Sequence, residues 1–251
     1  MLTYAGIIPA RYASTRFPGK PLAMIHGKTM IQRVYLQASK VLDYVCVATD
    51  DARIEAEVKR FGGKVIMTSQ HHQSGTDRCA EAIDIIQKQL NKSFDVVINI
   101  QGDEPFIQSG QLNKLISCFN NPKTQIATLV KPFRGSDDIF NSNHVKVALN
   151  KDNQALYFSR SVIPFLRNLD IASWANNHQY YKHIGIYAYR TEVLKEITGM
   201  KPSSLEMAES LEQLRWLENG LCIMVEKTEF ESISVDTPED LAKINVTEIN
   251  D

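Results

Sequence analysis

A stretch near the N-terminus joins a short apolar segment to a basic loop. It reads Gly6-Ile7-Ile8-Pro9-Ala10-Arg11-Tyr12-Ala13-Ser14-Thr15-Arg16-Phe17-Pro18-Gly19-Lys20-Pro21. The apolar part predicts a buried strand. Guanidinium and ammonium groups match phosphate oxygens, the backbone of a glycine-containing turn adds N–H donors, and proline stiffens a loop. The stretch therefore predicts a polyphosphate-binding loop after the first strand, with an ordinary solvated basic loop as the alternative.

The two common phosphate-binding patterns do not fit this loop. Gly19-Lys20 is followed by Pro21, whereas a Walker A loop places Ser or Thr after the lysine. No G-x-G-x-x-G opens the first helix, so the dinucleotide-binding pattern is missing as well. Any phosphate site here has to be of another kind.

Strands and helices alternate through the first part of the chain. The predicted strands are Tyr4–Ile8, Tyr44–Ala48, Lys64–Met67 and Phe94–Ile100. Segments of helical period follow Thr29, Asp51 and Gly75. This β-α-β-α order predicts an α/β fold, a mostly parallel sheet with helices on both faces, whose ligands lie at the carboxyl ends of the strands.

The alternation ends after about residue 140. The predicted strands Val145–Leu149, Ala155–Phe158 and Tyr180–Tyr189 have no full crossover helix between them, which favours antiparallel pairing. A helix over Ser203–Asn219 is predicted next, then the strands Leu221–Val225 and Ser232–Val235. We expect one domain over residues 1–251 with a smaller antiparallel lobe at about 140–225.

Composition limits the classes of partner. With 251 residues, 43% of them hydrophobic, the chain can bury a full core. A net charge of −1 argues against a broad nucleic-acid or membrane-binding face, so anion binding has to come from a local cluster. The four cysteines occur singly, and we find neither a signal peptide nor a run long enough to span a membrane. We expect a soluble cytoplasmic protein.

Two aspartates follow predicted strands. Asp103 comes directly after a very apolar strand, and Asp236 precedes the helix start Thr237-Pro238. Mg²⁺ is commonly held by one or two carboxylates together with substrate phosphates, so Asp103 is a candidate ligand and Asp236 a candidate second one. The alternatives are a turn aspartate at 103 and a helix cap at 236.

Three further segments combine a structural explanation with a binding one. Gln73-Ser74-Gly75-Thr76-Asp77-Arg78 is either an anion site at a helix start or a capped surface helix. Arg160, at the end of an apolar strand, is either an edge residue or an anion receptor. His183 shares a strand face with Gly185, Tyr187 and Tyr189, where the glycine leaves room for a ligand, although a lone strand histidine is more often structural.

These segments, in this order, resemble the 3-deoxy-manno-octulosonate (Kdo) cytidylyltransferases, also called CMP-Kdo synthetases. The likeness runs from Ile8 to Asp240 through the basic loop and the segments Ser-Gly-Thr-Asp-Arg, Gln-Gly-Asp-Glu-Pro, Tyr-Phe-Ser-Arg, His-Ile-Gly-Ile-Tyr, Leu-Glu-Gln-Leu-Arg and Val-Asp-Thr-Pro-Glu-Asp. Asp77 stands where Glu is common in the family, and Pro164-Phe165-Leu166-Arg167 replaces a more polar segment. The second departure bears on which acidic sugar is used.

The resemblance implies a fold like that of the nucleotide-diphospho-sugar transferases and a role for each matching residue. It assigns catalysis to Arg11, Lys20, Asp103 and Asp236, and Mg²⁺ binding to the two aspartates. It assigns nucleotide binding to Arg11, Ser14, Arg16, Lys20, Ser74, Gly75, Arg78, Gln101 and Asp103. It assigns sugar binding to Gln101, Arg160, His183, Tyr187, Glu212 and Gln213, with Arg160 facing the sugar carboxylate.

The implied enzyme is a nucleotidyltransferase that joins CTP and Kdo to give CMP-Kdo and pyrophosphate. The resemblance also implies a homodimer formed through the small lobe and a role in lipopolysaccharide precursor supply in the bacterial cytoplasm. Activation of 8-amino-Kdo or another acidic sugar stays open. A noncatalytic nucleotide-binding protein would not need both carboxylates, and a metal-dependent glycosyltransferase would normally show Asp-x-Asp where this chain has Gln101-Gly102-Asp103.

Overall fold

The computed structural model describes residues 1–13, 17–134, 137–230, 235 and 237–246. Its strands are β1 (Tyr4–Ala10), β2 (Met24–Ile25), β3 (Lys28–Thr29), β4 (Val45–Thr49), β5 (Val65–Met67), β6 (Val96–Asn99), β7 (Ile126–Pro132), β8 (Lys146–Leu149), β9 (Ala155–Ser159), β10 (Tyr181–Arg190) and β11 (Ile223–Lys227). Its α-helices are α1 (Met30–Ser39), α2 (Ala52–Arg60), α3 (Gly75–Leu90), α4 (Ser109–Cys118), α5 (Trp174–Asn177), α6 (Thr191–Thr198), α7 (Ser204–Glu209), α8 (Gln213–Glu218) and α9 (Pro238–Val246). The chain divides into two compact units, Met1–Leu112 with Ser232–Asp251 and Asn113–Glu231.

The first unit contains a parallel sheet in the order β6-β1-β4-β5. All five residues of β4 are buried, as expected for a strand covered on both faces. Helices α1, α2 and α3 connect successive strands of this sheet. The predicted α/β class is therefore confirmed, and the carboxyl ends of β1, β4 and β6 lie at one edge of the sheet.

The second unit mixes strand directions. Strand β11 runs parallel to β7, and β7 pairs antiparallel with β10. Strand β10 pairs antiparallel with β8, which pairs antiparallel with β9. The predicted antiparallel pairing after residue 140 is confirmed. This unit includes the range 140–225 that we assigned to a smaller lobe, and the sugar-binding and dimer role of that range stays a prediction.

The prediction of one helix over Ser203–Asn219 is wrong. The segment forms α7 and α8, separated at Ser210, whose φ of 52° is left-handed. Side chains from the end of β9 bind this break: the Arg160 Nε donates to the Glu209 carbonyl at 2.8 Å, and the Ser159 hydroxyl donates to the Glu209 carboxylate at 2.6 Å. Leu205, which a continuous helix of this pattern would bury with Leu211 and Leu214, is 36% exposed. Tertiary contacts thus override a helical pattern. Of the predicted strand Ser232–Val235, only Val235 lies within the described residues.

Candidate functional site

The first unit holds a cavity of about 260 Å³ at the carboxyl ends of its strands. Three segments form its wall: the loop after β1, the start of α3 and the loop after β6. The wall contains every described residue that we assigned to the nucleotide: Arg11, Lys20, Ser74, Gly75, Arg78, Gln101 and Asp103. Segments far apart in the sequence therefore meet where a parallel sheet binds its ligands.

Lys20 and Asp103 form an ion pair in this cavity. The Lys20 Nζ lies 2.7 Å from the Asp103 Oδ2, and the side chains are 13% and 33% exposed. Lys20 begins a single 3₁₀ turn after Gly19, whose φ of 72° is left-handed and suits glycine. The Gly19 N–H also donates to the Tyr12 carbonyl at 3.0 Å, which closes the loop back on itself. Loop geometry thus brings the ammonium group to the carboxylate.

Gly102 permits the close approach of two strand ends. A Cβ at this position would lie 3.0 Å from the carbonyl oxygen of Pro9. Because that oxygen belongs to the backbone, a side chain at 102 would force the loop after β6 away from the end of β1. The glycine therefore sets where Gln101 and Asp103 sit in the cavity.

The start of α3 is capped from within the chain. The Ser74 hydroxyl accepts from the Asp77 N–H at 3.1 Å, and the Asp77 carboxylate accepts from the Ser74 N–H at 3.1 Å. This reciprocal pair is a capping box. The Ser74 hydroxyl uses one lone pair in the cap and can still donate its proton to a ligand, so its contact with the nucleotide stays a prediction.

Arg78 is 4% exposed and held from two sides. Its Nη1 donates to the Thr68 hydroxyl at 2.7 Å, and its Nη2 lies 3.2 Å from the Asp50 Oδ2. The guanidinium group is thus a fixed part of the cavity wall whose charge is matched by a carboxylate. Its proximity to base and ribose stays a prediction.

His72 lines the same cavity, and we did not assign it from the sequence. Its Nε2 lies 2.5 Å from the Glu81 Oε2, and that carboxylate also accepts from the Ser69 N–H at 2.8 Å. The pair spans nine residues across a helix start. No simple helical or strand spacing signals such a contact, although His72 directly precedes the segment that we did assign.

In the second unit, Arg160 is bound to backbone carbonyls. Its Nε donates to Glu209, its Nη1 to Ser142 at 3.2 Å and its Nη2 to Ser210 at 3.4 Å. The Arg160 N–H donates to the Glu209 carboxylate at 2.9 Å. The guanidinium group is therefore positioned by three backbone carbonyl groups. Its predicted role toward a sugar carboxylate stays a prediction.

His183 and Tyr187 lie together on β10. Their ring centroids are 5.3 Å apart, and Phe158 packs on His183 at 5.2 Å. Burial lowers the pKa of His183 to about 3, so its imidazole is uncharged at neutral pH. Burial and then the charge of Glu212 raise the pKa of Tyr187 well above its usual value, so its hydroxyl keeps its proton.

Two buried polar atoms of α8 have no hydrogen-bond partner among the described residues. They are the Gln213 Nε2 and the Trp216 Nε1. The Trp216 ring packs edge-on to Tyr187 at 5.1 Å. Because buried polar groups are nearly always satisfied, such a set is typical of a site that a polar ligand completes. Trp216 was missed, since a tryptophan in an apolar helix pattern indicates core.

Three residues that we assigned from the sequence lie outside the described residues: Ser14, Arg16 and Asp236. The neighbouring Val235 is described, and its N–H donates to the Asp103 carbonyl at 3.2 Å. Within the described part of the chain, we find no cluster of three or more His, Cys, Asp or Glu side chains suited to a metal ion. None of the described helices is long and apolar enough to cross a membrane.

Comparison with known proteins identifies the family. The cytidylyltransferase family profile matches residues 5–233, and the chain belongs to that family. It is 60% identical to the 3-deoxy-manno-octulosonate cytidylyltransferase of Parabacteroides distasonis, over 97% of both chains. It is 63% identical to the protein of that name from Bacteroides thetaiotaomicron, over 96% of both chains.

Solved structures agree in fold. A CMP:2-keto-3-deoxy-manno-octonic acid synthetase complexed with CTP superposes with a TM-score of 0.88, at 42% identity and with 97% of each chain covered. A putative glucose-1-phosphate thymidylyltransferase from Bacillus anthracis superposes with a TM-score of 0.64 at 15% identity, covering 99% of this chain and 98% of its own. The second likeness concerns the fold alone.

Proposed function

We propose that this protein transfers the cytidylyl group of CTP to the anomeric hydroxyl of Kdo, giving CMP-Kdo and pyrophosphate. The observation that carries the proposal is the single cavity in which Arg11, Lys20, Gln101 and Asp103 meet. Relatives named as Kdo cytidylyltransferases, at 60% identity or more over almost the whole chain, support the choice of nucleotide and sugar.

The proposed reaction is an in-line displacement at the α-phosphorus. The C2 hydroxyl of Kdo forms the new O–P bond and loses its proton, and the bond to pyrophosphate breaks. Negative charge then gathers on the departing pyrophosphate. Arg11 and Lys20, with Arg16 and the Ser14 hydroxyl, offset that charge, since fixed cations and donors lower the barrier where charge develops.

We further propose that Asp103 and Asp236 hold Mg²⁺. The donor set fits a hard cation: the Asp103 carboxylate is a third exposed in the cavity, and Mg²⁺ takes one or two carboxylates plus substrate phosphates. The hydrogen bond from Val235 to the Asp103 carbonyl supports the pairing, because Val235 directly precedes Asp236. When bound, the ion supplies positive charge beside the phosphates.

The sugar side of the proposal rests on residues of the second unit. Arg160 offers a guanidinium group to the sugar carboxylate, a pairing that is short and directional. Gln213 carries a buried N–H donor that has no partner among the described residues, and a sugar oxygen would satisfy it. The Tyr187 hydroxyl, which keeps its proton, is a second donor for the sugar. Glu212, whose charge acts on Tyr187, accepts from sugar hydroxyls.

We also propose a homodimer in the bacterial cytoplasm that supplies a lipopolysaccharide precursor. An exposed apolar cluster supports the dimer: Phe140, Phe165, Leu169 and Ile171 are 44 to 72% exposed, and two of them pack on Trp174. Contiguous exposed apolar surface marks interaction sites. The molar mass in dilute solution, from light scattering, tests this part, and a monomer at micromolar concentration would exclude it.

The activity is tested by pyrophosphate release from CTP and Mg²⁺ with Kdo, 8-amino-Kdo, sialic acid or no sugar. We expect fast release with Kdo. Preference for 8-amino-Kdo would keep the chemistry and change the substrate. No release with any acceptor, from folded protein that binds CTP, would favour a noncatalytic nucleotide-binding role.

The metal assignment is tested by Asp103→Asn, with Asp152→Asn, at an exposed turn of the second unit, as the matched control. We expect loss of turnover with retained fold only for Asp103→Asn. Undiminished turnover in that variant would remove Asp103 from the catalytic set.

A further inference from the structure

The hydroxyl of Thr128 meets three polar atoms of β10. Thr128 is fully buried on β7. Its Oγ1 lies 3.1 Å from the His183 Nε2, 3.2 Å from the Ile184 carbonyl oxygen and 2.8 Å from the Ile186 carbonyl oxygen. These atoms flank the point, between Ile184 and Tyr187, where the pairing of β10 with β7 shifts register. A bulge of this kind interrupts the strand ladder and redirects side chains.

Donor chemistry and the distances together assign a direction to each hydrogen bond. A hydroxyl has one proton, and a carbonyl oxygen can only accept. An imidazole nitrogen without a proton also accepts, but the shortest of the three contacts, 2.8 Å to the Ile186 carbonyl oxygen, assigns the single Thr128 proton to that carbonyl. The Thr128 oxygen then faces the His183 Nε2 with a lone pair, so this nitrogen has to carry a hydrogen. The reverse assignment would leave both carbonyls without the Thr128 proton.

We propose that Thr128 is a positioning residue that fixes His183 as the Nε2–H tautomer, so that the Nδ1 lone pair accepts a hydrogen bond from a sugar hydroxyl. This inference rests on the proposed function. Among the described residues, none hydrogen-bonds the Nδ1 of His183. A Cβ at the neighbouring Gly185 would meet no atom within 4 Å, which leaves space beside the imidazole.

His183 fixed in this tautomer gives the sugar side of the site a neutral hydrogen-bond acceptor. A neutral imidazole fixed this way cannot pair with a carboxylate as a cation, so recognition of the acid falls to Arg160. The low pKa of His183 agrees with a neutral ring. The histidine instead selects a substrate that presents a donor, an O–H or an N–H, at the matching position.

The tautomer is measured directly by long-range ¹H–¹⁵N correlation on the full chain labelled with ¹⁵N-histidine. The protein has six histidines, and the spectrum of His183→Gln identifies the signals of His183. We expect a protonated Nε2 and an unprotonated Nδ1 between pH 6 and 8. A proton on Nδ1, or on both nitrogens, would overturn the proposal. This readout needs no turnover, so it is independent of whether Kdo is the substrate.

Variants at Thr128 test the positioning role. In Thr128→Val we expect His183 to populate both tautomers and the KM for Kdo to rise about tenfold, the loss of one neutral hydrogen bond, with the KM for CTP unchanged. Thr128→Ser, which keeps the hydroxyl, restores both readouts. Wild-type tautomer and KM in Thr128→Val would refute the role.

Thr124→Val is the matched control. Thr124 is also buried, and its hydroxyl donates to the Cys118 carbonyl at 2.7 Å without touching His183. We expect Thr124→Val to lose stability while keeping the tautomer and the KM for Kdo. An equal rise of KM in both valine variants would show a general packing effect and contradict the proposal. If Thr128→Val fails to fold, the wild-type and Thr128→Ser spectra still decide it.

Discussion

Replacing Gln213 by methionine tests whether a buried polar atom is kept for a ligand. Gln213 is 5% exposed, and its Nε2 has no partner among the described residues. An unsatisfied buried donor costs about 1–3 kcal/mol, and methionine has nearly the same length without a polar group. We therefore expect Gln213→Met to stabilise the ligand-free protein by about 1 kcal/mol, the lower end because methionine fills the amide space imperfectly.

The same substitution should weaken sugar binding. A neutral hydrogen bond contributes about 0.5–1.5 kcal/mol, which corresponds to a rise of roughly three- to tenfold in the KM for Kdo. Thermal and urea unfolding without ligands measure the stability change, expected as about 2–4 °C in Tm for a chain of this length. Pyrophosphate release at varied Kdo and fixed CTP measures the KM.

A second buried glutamine provides a control of opposite sign. Gln111 is fully buried, and its Oε1 accepts from the Gln108 N–H at 3.0 Å. Because its amide is used, Gln111→Met should destabilise the protein by about 1–3 kcal/mol and leave the KM for Kdo unchanged. The reasoning is refuted if Gln213→Met destabilises the protein as Gln111→Met does while its KM for Kdo stays at the wild-type value.

Three further predictions concern other parts of the molecule. Arg78→Met removes the partner of the Thr68 hydroxyl and of the Asp50 carboxylate in the cavity wall. We expect the free energy of unfolding in urea to fall by about 3 kcal/mol and CTP binding, measured by calorimetry, to weaken. A free energy of unfolding within about 0.5 kcal/mol of wild type would contradict this. Gly102→Ala places a Cβ 3.0 Å from the Pro9 carbonyl oxygen and so displaces Gln101 and Asp103 in the cavity. The KM for CTP should therefore rise at least tenfold. An unchanged KM for CTP would contradict the role given to this glycine. Arg215 lowers the pKa of Glu206. The stability that this pair contributes is full above the unfolded pKa of about 4.3 and is lost as pH falls through the lower folded pKa. Glu206→Gln should therefore flatten the fall of the urea midpoint between pH 5 and pH 3, and an unaltered fall would exclude the pair as its source.

Local patterns identified the parallel sheet because each strand is a continuous apolar run between helix caps. Strand β4, buried at all five positions, is the clearest case. The same reasoning failed for α7 and α8, where Leu205, Ala208 and Leu211 follow a helical period. The break at Ser210 depends on Arg160, fifty residues earlier in the chain, and no local pattern contains that contact.

The cavity residues show a similar division. Arg11 and Asp103 could be selected from the sequence because each follows an apolar strand, and Lys20 because it follows Gly19 in the basic loop. Their pairing could not be selected, since the contact between Lys20 and Asp103 spans 83 residues. His72 and Trp216 were missed because what marks them is visible only in the folded chain. His72 contacts Glu81, and the buried indole N–H of Trp216 has no partner among the described residues.

The pairing of charges in the first unit limits how CTP can be bound. Of the described cations in the cavity wall, Lys20 already contacts Asp103, and Arg78 already lies beside Asp50. Each pair is close to neutral, so Arg11 is left to supply most of the net positive charge of that wall.

A triphosphate carries several negative charges, and one guanidinium group does not offset them. Further positive charge is required, which Arg16 and a divalent cation can provide. If the Asp103 carboxylate held a divalent cation as proposed, the Lys20 ammonium group could turn from that carboxylate toward the phosphates. The contact between Lys20 and Asp103 therefore keeps both groups at the cavity wall, where the proposed nucleotide and metal would need them.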